Sequence, residues 1–147
     1  MKTLIVLAGV LAPVALLGQA QCPLESATLY GSYSMTIVGT GGSPVWAPFT
    51  GPVASVAKIV FDGLGNLQIP STTIVAANPP LNVKPPVAIT GTYTVGRDCT
   101  GTITLNFTPN PNAHYNIVVS FDGRQITLIA TDKGDVITGT AQRLDRS

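Results

Sequence analysis

The chain has 147 residues with 8 Lys or Arg, 7 Asp or Glu, one His and 2 Cys, a formal net charge of +1. This near-neutral balance, without any basic run, excludes the electrostatic footprint of a nucleic-acid binder or of a protein held on an anionic membrane surface. The single histidine and two cysteines leave no His/Cys-rich motif for a structural metal, and no cofactor is expected.

Residues 1–20 read as a secretory signal peptide, with Lys2 as the positive start, an apolar run from Leu4 to Leu17, and Gly18-Gln19-Ala20 as the small-residue cleavage site. The run is short for a membrane span, which takes about 20 apolar residues. No second run of that length follows, so no membrane span is expected. Lys2 is the one basic residue in this segment, so residues 21–147 carry seven basic and seven acidic side chains and no net charge. Those residues form one domain, large enough for a core of its own.

Eight short runs with strand character follow in order. The first, residues 28–38, places Leu29, Tyr33, Met35 and Ile37 on one face and small polar residues on the other. A long Gly- and Pro-rich loop, residues 39–52, leads to the second strand at 53–61. Asp62-Gly63-Leu64-Gly65-Asn66 turns the chain into the third, residues 67–76, where Pro70 demands an edge, a bulge or a break because it has no N–H to donate. A second long connection, residues 77–86, precedes the fourth strand at 87–95, with Val87, Ile89, Tyr93 and Val95 inward and threonines outward.

The fifth strand, residues 102–108, turns Ile103, Leu105 and Phe107 inward, and the sixth, residues 114–121, does so with Tyr115, Ile117, Val119 and Phe121. Asp122-Gly123 reads as a two-residue type I′ hairpin turn, which needs positive φ at both central positions. The seventh strand spans 125–131, and Asp132-Lys133-Gly134-Asp135 turns it into the eighth, 136–144. Alternation with one Thr-rich face marks a sheet that is wet on one side and dry on the other.

The fold class is therefore all-β: an eight-stranded antiparallel up-and-down meander, closed or nearly closed into a barrel. A two-sheet sandwich is the alternative, although its crossovers call for more long connections than the two present. Gly31, Gly91 and Gly139 within strands suit the bends of a small barrel.

Export to an oxidising compartment and an even cysteine count point to a Cys22–Cys99 bridge from the start of the first strand to the turn after the fourth. Such a bridge closes a loop long enough to contribute about 4 kcal/mol by chain entropy. Two free thiols are the rival reading.

Cys22, Thr28-Leu29-Tyr30-Gly31-Ser32-Tyr33, Phe61-Asp62-Gly63-Leu64-Gly65-Asn66, Gly91-Thr92-Tyr93-Thr94-Val95, Asp98-Cys99-Thr100-Gly101 and Thr131-Asp132-Lys133-Gly134 follow in a characteristic order. In this the chain resembles a group of uncharacterised exported bacterial proteins, a resemblance that implies a small β-barrel and a compartment more than an activity. The layout also looks like the calycin architecture, to which lipocalins belong and in which a long loop after the first strand covers the barrel mouth. Residues 39–52 hold that place, while Gly31-Ser32-Tyr33 stands where lipocalins carry Gly-x-Trp.

Trp46 and Phe49, in the first long loop, are either an apolar lid over a barrel mouth or an ordinary plug of the barrel end. Tyr33, Tyr93 and Tyr115 either place hydroxyls in a ligand cavity or are buried with their hydroxyls on backbone. These five are the candidate ligand contacts. His114 has no acid near it in sequence and reads as a surface residue. Asp62 to Asn66 lacks the repeated acids of a calcium loop, so no metal site is expected. No catalytic residue is assigned, and an enzyme is disfavoured by so thin an acid–base inventory. The functional expectation is a binding module for a small apolar molecule, with a structural or surface-interaction protein as the alternative. The interior discriminates: an apolar cavity of about 300 Å³ or more supports binding, and a filled one supports a scaffold.

Overall fold

The computed structural model describes residue 22 and residues 25–46, 50–76 and 89–144. Eight strands follow in chain order: β1 Tyr30–Gly41, β2 Gly51–Asp62, β3 Asn66–Ala76, β4 Ile89–Val95, β5 Thr100–Asn106, β6 Ala113–Val119, β7 Gln125–Ala130 and β8 Val136–Arg143. Each pairs antiparallel with the next, and β8 returns to pair with β1 from Tyr33↔Arg143 to Thr40↔Val136. The sheet is thus a closed meander barrel, not a sandwich. Closure leaves no free edge running the length of the sheet.

Inward positions alternate with outward ones as the period of two requires. Tyr33, Met35 and Ile37 on β1 face Ile103 and Leu105 on β5, Tyr115 and Ile117 on β6, and Ile126 and Leu128 on β7 across one continuous apolar core. Threonine covers much of the outer face, and a Thr94–Thr102 hydroxyl pair at 3.0 Å ties β4 to β5 there.

Pro70 sits at a β-bulge. Lys58 pairs with Ser71 but Val60 pairs with Gln68, so Ile69 and Pro70 together oppose the single residue Ile59. The described β3–β4 ladder ends at Ile69↔Ile89, so Pro70 breaks no pairing on that side either. The extra residue resets the alternation. Leu67 and Ile69 face in, then Thr72 takes the next buried position.

Several boundaries differ from the sequence expectation. Residues 25–28 form a 3-10 turn (Glu25–Thr28), and β1 begins later and runs on to Gly41. Its last residues keep register with β2 down to Gly41↔Gly51, so residues 39–41 and 51–52, which read as loop in the sequence, are ladder. β6 ends at Val119 because the chain turns at once: Gly123 N–H donates to the Ser120 carbonyl at 2.8 Å. Phe121 is therefore a turn residue, 55% exposed, and not part of the core. In that turn Gly123 has positive φ and Asp122 does not, so it is not type I′. Residues 1–20, which read in the sequence as a signal peptide, lie outside the described residues, as do Val87 and Phe49.

The two barrel ends differ in construction. One carries the 62–66, 96–99 and 120–124 turns together with Cys22 and the Glu25–Thr28 turn. The other carries residues 42–46, the segment after β5, and the β7–β8 turn.

Candidate functional site

The first end is plugged. Cys22 and Cys99 form a disulfide with Cα atoms 5.1 Å apart. The Cys22 N–H also donates to the Arg97 carbonyl at 2.8 Å, so the N-terminal segment is fastened to the β4–β5 turn by covalent and backbone contacts. Leu29 is fully buried beneath it. The Tyr93 hydroxyl lies 2.9 Å from the Leu29 carbonyl and 3.0 Å from that of Ser26, and the Tyr33 hydroxyl donates to the Gly123 carbonyl. Phe61 stands between the two phenols in edge-to-face contact, with centroids 5.1 Å from Tyr33 and 4.9 Å from Tyr93. Such pairs add roughly 0.5–1.5 kcal/mol each beyond area burial. Burial raises the pKa of both tyrosines above the ordinary phenol value. Tyr33 and Tyr93 are thus pillars of the plugged end.

The second end holds an apolar cavity. Met35, Ile37, Ile69, Ile103 and Leu105 are among its walls, and Trp46 and Phe107 close it. Its volume is about 20 Å³, room for about one water molecule and far short of the roughly 300 Å³ of a small-molecule pocket. Two polar groups interrupt the apolar lining. Ser55 and Thr72, both buried, share a hydrogen bond of 3.0 Å between their hydroxyls. The Pro70 bulge is what turns Thr72 inward to meet Ser55.

Trp46 stands on a short 3-10 turn, Pro44–Trp46. Pro44 suits the first position of such a turn because its φ is already set and its missing N–H would have no partner there. Trp46 N–H closes the turn on the Ser43 carbonyl at 3.1 Å. The indole folds back over Gly41, where a Cβ would come within 2.8 Å of Trp46 Cγ, so no other residue fits at 41 without displacing the ring. The indole is 7% exposed and tilts against Phe107 with ring centroids 6.3 Å apart.

One carboxylate holds this cap. Asp135 Oδ1 accepts from the Gly42 and Ser43 backbone N–H groups, each at 2.9 Å. Its Oδ2 accepts from Ser43 Oγ at 2.7 Å and from Trp46 Nε1 at 3.2 Å. Asn110 Nδ2 adds a bond to the Val45 carbonyl at 3.0 Å from the other side. Tyr115 is the one candidate tyrosine on the cavity wall. Burial raises its pKa well above the ordinary phenol range, and the nearby charges of Asp135 and Asp132 push the same way.

His114 has an acid partner that the sequence spacing did not reveal. Asp132 Oδ1 lies 2.8 Å from His114 Nδ1, and Asp132 Oδ2 accepts the His114 backbone N–H at 2.7 Å. A carboxylate accepts, so Nδ1 carries the ring proton. The pair sits on the outer surface where β6 leaves the preceding loop, and it pins the β7–β8 turn to β6. Among the described residues no three His, Cys, Asp or Glu side chains gather into a metal-binding group. Nor is any helix among them long and apolar enough to cross a membrane, which says nothing of strands.

Of the five candidate contacts, Trp46 and Tyr115 meet at one cavity, Tyr33 and Tyr93 lie at the opposite end, and Phe49 is outside the described residues. The parts missed in sequence are Asp135, Ser55 and Thr72. Pro70 was the available signal for Thr72, since a bulge there shifts the alternation. Asp135 had none, because its partners lie some ninety positions earlier in the chain. No family model matches the chain, and neither does any curated protein or solved structure. Fold and site therefore rest on these residues alone.

Proposed function

We propose that the protein is an exported, non-catalytic β-barrel that works through its outer surface and end loops rather than by carrying a ligand inside. The filled interior carries this reading: about 20 Å³ is open beneath Trp46, and a lodged apolar molecule needs about fifteen times more. The signal-like residues 1–20 and the Cys22–Cys99 bridge support export, since disulfides persist in oxidising compartments.

The construction of the cap favours a second reading. Trp46, Ser43 and Gly42 all bond to Asp135, so losing that one carboxylate would loosen the cap, leaving Asn110 and Phe107 to hold it, and could let a small apolar molecule enter against the apolar wall. Titration with the apolar fluorophore N-phenyl-1-naphthylamine, read through Trp46 emission, separates the two. The scaffold reading expects no saturable uptake, and native mass spectrometry of protein from its own host to give the bare mass. Saturable quenching of Trp46, or a co-purifying apolar molecule, would replace it with the binding module.

A further inference from the structure

A surface groove of about 730 Å³ lies at the plugged end, outside the barrel, lined by residues of β1, β2 and β8 and by Arg124. Its size falls within the roughly 300–1,000 Å³ typical of small-molecule clefts. The groove has an apolar part as well as a charged one. Tyr30 is 52% exposed there, and Leu144 is exposed beside it.

The charged part is built by register. The Arg143 N–H donates to the Arg124 carbonyl at 2.8 Å, and the Leu144 N–H donates to the Ser32 carbonyl at the same distance. These two bonds fix Arg143 and Arg124 side by side against the start of β1. Gly31 there takes φ of +97°, a conformation that side-chain-bearing residues rarely adopt. The Arg143 guanidinium lies along its bare backbone: a Cβ on Gly31 would meet Nη2 at 3.8 Å and Nε at 3.9 Å.

Asp62 is itself part of the groove lining, and Asp122 stands in the turn beside Arg124; both carboxylates keep their charge while accepting bonds from their own turns. Asp62 accepts from the Leu64 and Asn66 N–H groups and from Asn66 Nδ2. Asp122 accepts from Ser120 Oγ and the Arg124 N–H. Among the described residues no carboxylate lies within ion-pair distance of Arg143, whereas Arg97 pairs with Glu25 at 2.9 Å.

We propose that this groove binds a small molecule bearing an anionic group on an aromatic or apolar body. The Arg143 fork takes the phosphate or carboxylate end through paired N–H donors. The Tyr30 ring and Leu144 take the body. This goes beyond the surface-scaffold reading and does not depend on whether the interior opens.

Phenyl phosphate and inorganic phosphate, titrated separately at fixed ionic strength into ¹⁵N-labelled protein, test it. Phenyl phosphate is expected to shift the amides of Tyr30, Gly31, Ser32, Arg143 and Leu144 saturably. Arg143→Gln should weaken it about tenfold or more, the loss of a charged hydrogen-bonding fork, and Arg143→Lys by less. Tyr30→Ala should weaken phenyl phosphate and leave inorganic phosphate unchanged. Both positions are exposed, and unchanged thermal midpoints show that the three variants fold. Non-saturating shifts, shifts gathered at the Trp46 end, or equal binding by Arg143→Gln would each overturn the proposal. Uptake of N-phenyl-1-naphthylamine, by contrast, bears on the interior alone.

Discussion

Asp135 and Trp46, 89 positions apart in sequence, meet at the barrel mouth with Trp46 Nε1 3.2 Å from Asp135 Oδ2. The same carboxylate holds the backbone of residues 42 and 43. Asp135→Ala removes the acceptor for all these donors together. A loss of about 1–3 kcal/mol is expected, the cost of leaving polar groups without partners. Trp46 emission should shift to the red as the indole leaves its pocket. Urea melts followed by tryptophan fluorescence measure both, and an unmoved spectrum would mean that packing and the Asn110 bond to Val45 hold the cap without Asp135.

Trp46→Ala removes a side chain that is nearly fully buried. If it is a plug, the variant should lose about 3 kcal/mol, the lower part of the range for large aromatic truncations because the cap lies at the end of the core. Circular dichroism melts against denaturant check this. An unaltered midpoint would return Trp46 to the role of a lid with no structural duty.

Ser55 and Thr72 satisfy one another in an apolar lining. Ser55→Ala or Thr72→Val alone leaves a buried hydroxyl without its partner, at about 1–3 kcal/mol, whereas the double substitution should be close to neutral. A double-mutant cycle measures the coupling. Strict additivity would mean that a water or backbone group already serves these hydroxyls.

The Cys22–Cys99 bridge closes a separation of 77 residues. Chain-entropy arithmetic for that loop gives about 4 kcal/mol, so Cys22→Ser with Cys99→Ser should lower the unfolding midpoint strongly. Because Tyr93 bonds to the segment behind Cys22, its hydroxyl should become more accessible at the same time. Thiol titration of the unfolded protein without reductant should find no reactive thiol.

Stability should fall at both extremes of pH. Asp62, Asp98 and Asp122 are held below the ordinary carboxylate value by bonds from Asn66, from Thr100 and from Ser120 with the Arg124 N–H, respectively. A carboxylate lowered in the folded state contributes stability that is present above its unfolded value, near 3.8, and is lost as pH falls through the folded one. Tyr33, Tyr93 and Tyr115 are raised from 10.0, chiefly by burial. Their contribution is whole below that value and is lost above it, because the unfolded chain then releases protons that the folded one retains. Thermal midpoints between pH 2 and 12 should therefore fall below about pH 4 and above about pH 10. Phenolate absorbance should show a late, cooperative step coincident with unfolding.

The number and order of the strands, and nearly all of the inward set, are legible in the sequence alone. Strand side chains alternate with a period of two, and Ile103–Leu105 or Tyr115–Ile117–Val119 display that period without any neighbour's help. Short turns between successive runs then leave little but a meander. Phe121 shows where such reading stops, since alternation cannot tell where a ladder ends and a turn carries the residue outward. Tertiary structure decided the closure of β8 on β1, the inward turn of Thr72 beyond the Pro70 bulge, the separation of Tyr33 and Tyr93 from Tyr115 at opposite ends, and the filling of the interior. It alone brought Asp135 to Trp46 and Asp132 to His114. Such contacts are formed by closing the chain across long separations, and a local pattern of residue types carries no record of which distant atoms will meet.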